Sequence, residues 1–321
     1  MIKRDISSSV LEDWDNRKAI VVLGPRQVGK TTLIQSLVKE KNVLWLNGDD
    51  PQTRLTISSA NLNFLLNVVA DYDVVVIDEA QRIGNIGLAI KMLVDAKLNK
   101  QFIVTGSSSL ELGNQINEAL TGRKWEHQLF PLSWNEIKNH YSFATAISRF
   151  EEFMIYGLYP EVVTSDKKQK VLLQLAGSYL YKDILELVNI KKPDLLMKLL
   201  NAVALQLGSE VSYNELAKIL SVDRMTVVNY LDLLEKVFVI FRLYPYSTNQ
   251  RNEITSKPKI YFFDNGIRNA IIGQFQHLQN RQDTGALFEN FIISEKIKQL
   301  RYQGFRSEEH TSELQSPCNL V

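Results

Sequence analysis

Gly24-Pro25-Arg26-Gln27-Val28-Gly29-Lys30-Thr31 is a glycine, four residues, a second glycine, then lysine and threonine. Just before it, Ala19-Ile20-Val21-Val22-Leu23 is a short apolar, largely β-branched run that predicts a buried strand. Just after it, Leu33, Ile34, Leu37 and Val38 recur at helical spacing. A strand, a glycine-rich turn and a helix make a phosphate cradle. The glycines let the backbone fold so tightly that its N–H groups point at one anion, and the positive end of the helix faces the same anion. On this reading Gly24, Pro25, Arg26, Gln27, Val28, Gly29, Lys30, Thr31 and Thr32 bind a nucleotide. Lys30 reaches the β- and γ-phosphates as a catalytic cation, and the Thr31 hydroxyl ligates Mg²⁺. ATP and Mg²⁺ are therefore the expected cofactors. The plainer alternative, a chance match, is made rarer by the flanking strand and helix.

Asp73-Val74-Val75-Val76-Ile77-Asp78-Glu79 follows about 50 residues later. Its unbroken β-branched run predicts a strand buried on both faces of a parallel sheet. Two carboxylates stand at its C-terminal end, where open α/β sheets bind their ligands. Asp78 is expected to hold the metal through its water shell, and Glu79 to orient and deprotonate the water attacking the γ-phosphate. Alternatively, the pair is an acidic turn capping the next helix. A further buried run, Gln101-Phe102-Ile103-Val104-Thr105, ends in Gly106-Ser107-Ser108-Ser109. Either Thr105 or Ser107 senses the γ-phosphate there, or the serines cap a helix from Leu110. Arg123, in Thr121-Gly122-Arg123, is a candidate catalytic arginine finger or a structural ion-pair partner.

The composition, 45% hydrophobic and 23% charged, is that of an ordinary globular protein. Met1 to Val10 has no apolar core of a secretory signal, and no apolar run approaches a membrane span, so a cytoplasmic protein is expected. Arg306 to Ser316 is similar to the in-frame translation of a common sequencing-library adapter, so 306–321 is read as an artefactual tail. The single cysteine, Cys318, falls in it. Without that tail the net charge rises from +1 to +3, through loss of Arg306, Glu308, Glu309 and Glu313. Charge at that level does not nominate a nucleic-acid partner.

From Leu132 to about Lys192 the pattern turns helical. Ser133-Trp134-Asn135-Glu136 has capping-box spacing, Gly157-Leu158-Tyr159-Pro160 breaks two helices, and Lys170 to Val188 carries a helical apolar stripe. Further on, Tyr213 to Leu220 and Arg224 to Lys236 read as two helices about a Ser221-Val222-Asp223 turn. Val237 to Leu243 and Lys259 to Phe263 follow as strands joined by a polar loop with Arg251 and Lys257. That is the layout of a winged helix. Arg224, Thr226 and Asn229, with Tyr230, are its candidate DNA contacts. Four basic residues (Lys218, Arg224, Lys236, Arg242) against four acidic ones over 211–243 leave a protein-contact role equally open.

Taken in order, these landmarks resemble a family of prokaryotic AAA-type ATPases with a C-terminal domain of unknown function, numbered 4143. The resemblance rests on residues 24–32, Ile77 to Gln81, Thr105 to Ser108, Leu120 to Arg123, Gly157 to Glu161, Lys182 to Ile184, Phe262 to Gly266 and Gly285 to Asn290. It covers nearly all of residues 1–305. It implies a C-terminal region similar to restriction endonucleases, with Glu289 on its first helix. A nuclease would also need an Asp and a Glu-x-Lys pair downstream, so no nuclease activity is assigned.

The expected architecture is an α/β P-loop NTPase of AAA-related type, with a parallel sheet and flanking helices. A helical connector, a winged-helix domain and a truncated C-terminal α/β region follow it. The expected boundaries are 1–132 for the ATPase core, 133–195 for a helical lid or connector, 196–263 for the winged helix and 264–305 for the truncated domain. The expected function is Mg²⁺-dependent ATP hydrolysis coupled to rearrangement of the winged-helix region. The alternative is a nucleotide-gated regulator that binds DNA or protein with little turnover. An oligomer is compatible with both.

Overall fold

The structure, a computed structural model, describes residues 1–14, 17–59, 61–107, 119–178, 193–245 and 257–304. Ser108, the helix expected from Leu110, the stripe positions Tyr179, Leu180, Ile184 and Leu187, Lys182 to Ile184, Arg251 and the tail 306–321 lie outside them. The chain divides into two compact units. One is Lys3–Leu129; the other runs from Phe130 onward and includes Met1 and Ile2.

Five parallel strands form the core of the first unit: β1 (Ala19–Leu23), β2 (Val43–Asn47), β3 (Val74–Asp78), β4 (Gln101–Gly106) and β5 (Lys124–Gln128). Their order is β2-β3-β4-β1-β5. Every residue of β1, β3 and β4 is buried, as expected of apolar runs covered on both faces. The helices Lys30–Leu37, Leu62–Val69 and Ile86–Asp95 each bury an apolar stripe. Register aligns the C-terminal strand ends: Leu23 pairs with Gly106, Val22 with Thr105, and Ile77 with Val104. The residues that follow β1, β3 and β4 therefore meet at one edge of the sheet.

Two elements lie outside what the sequence pattern specifies, and one expectation is corrected. Residues 52–70 are two helices, Pro51–Ser58 and Leu62–Val69, because Asn61 caps the second by accepting from Phe64 N–H at 3.1 Å. The sheet gains β5, whose Lys-Trp-Glu-His-Gln carries no apolar run and suits an edge. Val237 to Val239 continue a helix end instead of starting a strand. Phe238 takes φ 60°, and Val239 N–H returns to Leu234 O at 3.0 Å, so β6 begins at Ile240.

The second unit is mainly helical. Ser133 and Glu136 form the expected capping box, with bonds of 3.1 and 2.9 Å. Helices Tyr213–Leu220 and Arg224–Lys236 precede an antiparallel pair, β6 (Ile240–Leu243) and β7 (Lys259–Phe262). Phe130, Phe238, Phe241 and Phe263 pack around that pair, with Phe130 stacked on Phe263 at 5.2 Å. Two of the motifs behind the family resemblance hold each other. Buried Asp264 accepts from Leu158 N–H at 2.7 Å and Ile267 N–H at 3.1 Å. A Cβ on Gly157 would stand 2.0 Å from Asp264 Oδ1, and one on Gly266 would stand 2.0 Å from Tyr156 O. Asn290 works as a surrogate peptide, accepting from Phe262 N–H at 2.7 Å and donating to Phe262 O at 3.1 Å. Glu289 accepts from Tyr261 OH at 2.6 Å and Lys259 Nζ at 3.1 Å, as a structural partner would.

Candidate nucleotide site

The turn after β1 is as tight as its glycines imply. A Cβ on Gly24 would lie 2.0 Å from Leu129 O, so the approach of β5's continuation admits only glycine. Gly29 takes φ 93°, left-handed, and hands the chain to the helix that starts at Lys30. Inside the turn the buried Lys30 ammonium donates to Gly24 O and Pro25 O, each at 2.9 Å. From outside, the nearly buried Arg4 braces the turn by donating Nη1 to Val28 O at 2.6 Å. Thr32 sits exposed on the first helical turn.

Asp78 gathers the neighbouring strands. Its carboxylate accepts from the Thr31 hydroxyl at 2.8 Å, from the Thr105 hydroxyl, and from Glu79 N–H at 3.2 Å. The Thr31 hydroxyl and the Asp78 carboxylate are hard oxygen donors of the kind Mg²⁺ takes alongside water and phosphate. No cluster of three or more His, Cys, Asp or Glu ligands occurs among the described residues. Mg²⁺ in phosphate-handling sites needs no such cluster.

Glu79 is strained, with φ 49° and ψ 42°, as is Gln27 of the loop at φ 61°. That conformation costs a side-chain-bearing residue about 1 kcal/mol or more and persists where the surroundings over-determine it. Here they do. Gly48 N–H donates to Asp78 O at 2.8 Å, and a Cβ on Gly48 would lie 2.2 Å from Glu79 O. The Glu79 side chain accepts from Gln81 Nε2 at 2.6 Å, and the same Nε2 donates to Ser107 Oγ at 3.0 Å. Only the amide nitrogen can donate to a carboxylate, which fixes the orientation of Gln81. Its buried Oε1 has no hydrogen-bond partner among the described residues.

The fold thus brings together Gly24 to Thr31, Asp78, Glu79, Thr105 and Ser107. Thr105 is fully buried and donates its hydroxyl to the Asp78 carboxylate. Arg123 is not brought in. It precedes β5, whose first residue pairs with Ala19 at the start of β1, and its Nε donates to Asp95 Oδ1 at 2.6 Å. The length of β1 separates that end from the phosphate loop by about 16 Å, beyond the reach of an arginine side chain. Of the two roles expected for Arg123, this geometry carries the ion pair. Arg4 and Gln81 were missed by sequence reasoning: Arg4 precedes every motif, and Gln81 acquires its place only through the left-handed turn at Glu79.

In the second unit Arg224 and Asn229 are exposed. Thr226 instead is held by the helix N-cap Asp223, donating N–H and hydroxyl to it at 2.8 and 2.6 Å. These bonds hold the Asp223 carboxyl below its usual pKa. Arg242 is spent on Asp232 at 2.5 Å and on Glu235.

Comparison with known proteins also gives two parts. Residues 16–138 match the AAA domain family, and residues 147–278 match a domain of unknown function, DUF8612. The C-terminal match is therefore to a different family from the one the motifs suggested. An uncharacterised protein of Methanocaldococcus jannaschii is 25% identical over 97% of this chain and 71% of its own length. One from Haemophilus influenzae is 24% identical over 79% of this chain and 69% of its own length. Among solved structures, the Walker-type ATPase of Pyrococcus abyssi superposes with a TM-score of 0.56 at 15% identity, covering 85% of this chain and 96% of that one. No helix among the described residues is long and apolar enough to cross a membrane. Lys3–Leu129 has the P-loop NTPase fold, and residues 16–138 are similar to the AAA domain family.

Proposed function

We propose that the chain binds Mg-ATP in the turn Gly24 to Thr31, hydrolyses it, and uses the cycle to rearrange its C-terminal unit. One observation carries this reading: the Thr31–Asp78 contact at 2.8 Å joins the phosphate loop to the strand end that carries Glu79. Mg²⁺, when bound, would neutralise phosphate charge between these two side chains. Lys30 exchanges two backbone carbonyls for phosphate oxygens. Gln81 fixes one oxygen of Glu79 and leaves the other to accept a proton from water. Ser107 enters through Gln81, so the end of β4 steers the base instead of touching it.

The test is phosphate release by the full chain beside Lys30→Ala and Glu79→Gln. Turnover falling at least about 100-fold in both variants is expected. Wild-type release at the level of the variants overturns the reading.

A second reading, a nucleotide-gated binding module, has its own support in the winged-helix layout of 211–263. Ile219 and Met225, on the two helices, are 59% and 60% exposed, while Arg242 is neutralised. That face suits a protein better than a phosphate backbone. Duplex-DNA affinity that falls steeply with salt and responds to Arg224→Ala and to ATP would turn the reading towards DNA.

A further inference from the structure

The C-terminal unit buries two arginines for which the ATPase reading has no use. Arg268, on helix Asn265–Ile272, is 2% exposed, and the Arg281 side chain likewise 2%. Both guanidiniums converge on one carboxylate, Asp283: Arg268 through Nη1, Arg281 through Nε at 2.8 Å and Nη2 at 2.9 Å. Their other bonds go to neutral acceptors. Arg268 Nε donates to Ala204 O at 2.9 Å and Nη1 to Asn269 Oδ1 at 3.2 Å. Arg281 donates to Gln274 O at 2.9 Å and Asn269 Oδ1 at 3.0 Å. Arg268 Nη2 is left without a partner among the described residues.

Two cations therefore share one anion in a buried place, an arrangement that leaves a positive charge uncompensated. Burial lowers the Arg268 pKa, with Asp283 opposing that and Arg281 adding to it. Both arginines line a cavity of about 360 Å³, whose mouth carries the exposed amides of Gln276, Asn280 and Gln282 and no carboxylate beyond Asp283. That volume is in the range of small-molecule sites. It holds about a dozen waters' worth of space, enough for a phosphate and a sugar-sized body. A guanidinium edge surrounded by amide donors suits a tetrahedral oxyanion, whose several oxygens accept at once.

We propose that this cavity binds a phosphate monoester, with Arg268 Nη2 as its innermost donor and the amides of Gln276, Asn280 and Gln282 at its mouth. The anion supplies the charge that Asp283 alone does not. Its source is either a small phosphorylated molecule or the phosphorylated end of a nucleic acid.

Ribose 5-phosphate titrated calorimetrically into the full chain, with Mg-ADP present to occupy the phosphate loop, tests the site. Inorganic phosphate and ribose serve as competitors. Saturable binding that phosphate displaces and ribose does not is expected. The double variant Gln276→Glu/Gln282→Glu changes only exposed side chains, and should weaken binding at least about tenfold through like-charge repulsion. Arg268→Lys, which keeps the charge but removes Nη2, should also weaken it. Hexathymidylate with and without a 5′-phosphate separates the sources, since preference for the phosphorylated oligomer over ribose 5-phosphate assigns a nucleic-acid end. No saturable binding of either phosphorylated probe, or equal binding by wild type and the rim variant, overturns the proposal. The comparison of variants reads the same whether or not the chain hydrolyses ATP.

Discussion

Two strands of this molecule lead into a buried aspartate, and the two carboxylates are held in opposite ways. Asp78 closes β3 and accepts from two hydroxyls and one backbone N–H. Asp264 follows β7 and accepts from the backbone N–H groups of Leu158 and Ile267. Hydroxyls rotate and exchange partners; backbone amides in a packed turn do not. Around Asp78 the next residue, Glu79, is left-handed, partly accessible, and has its Oε1 uncommitted among the described residues. Around Asp264 two glycines close the space down to 2.0 Å and burial raises the carboxyl pKa. The same residue type, closing β3 in one unit and standing two residues beyond β7 in the other, meets exchangeable hydroxyls in the first and a packed turn in the second.

The sharpest way to break that contrast is to remove each carboxylate. Asp78→Asn should cost at least about 100-fold in turnover, with the melting temperature nearly unchanged, since shape and two of its acceptor contacts survive. Asp264→Leu orphans two buried N–H groups and should destabilise its unit by about 3 kcal/mol, with ATP turnover per folded molecule retained. Calorimetry and phosphate release on the same preparations check both; effects that swap places would end the comparison. Next in size, Gln81→Leu should lower kcat about tenfold and leave KM alone, because Gln81 orients the base and touches no phosphate. A rise in KM with kcat intact would move Gln81 to nucleotide binding. Smallest of all, Arg123→Ala should leave turnover within about twofold, as an exposed ion pair far from the loop predicts. A tenfold loss would show that Arg123 serves the nucleotide of a second copy.

Much of the first unit was legible because its signals are local. Five apolar residues before Gly24 and a β-branched run before Asp78 specify buried strands with no need of partners, and the glycine spacing specifies the turn. β5 was illegible for the converse reason: Lys-Trp-Glu-His-Gln is a strand only because β1 offers it an open edge. Gln81 was hidden by a backbone angle, since its amide reaches Glu79 only after the chain turns left-handed. The motifs Gly157-Leu158 and Asp264-Asn265-Gly266 were visible as motifs. Their meaning was not, because each explains the other across more than a hundred residues of chain. The arginine pair at 268 and 281 carried no signal at all, since spacing does not reveal that two cations will share Asp283.

The resting place of Lys30 has a consequence for the direction of a catalytic cycle. Its ammonium lies on the carbonyls of Gly24 and Pro25, a berth built into the same turn that would receive a triphosphate. Nucleotide arrival is then a change of hosts and not the burial of a naked charge. When the terminal phosphate departs, the cation has somewhere to go back to. In the proposed cycle the loop would carry its own reset, and release of the spent nucleotide would not wait for another part of the molecule to accommodate an orphaned charge.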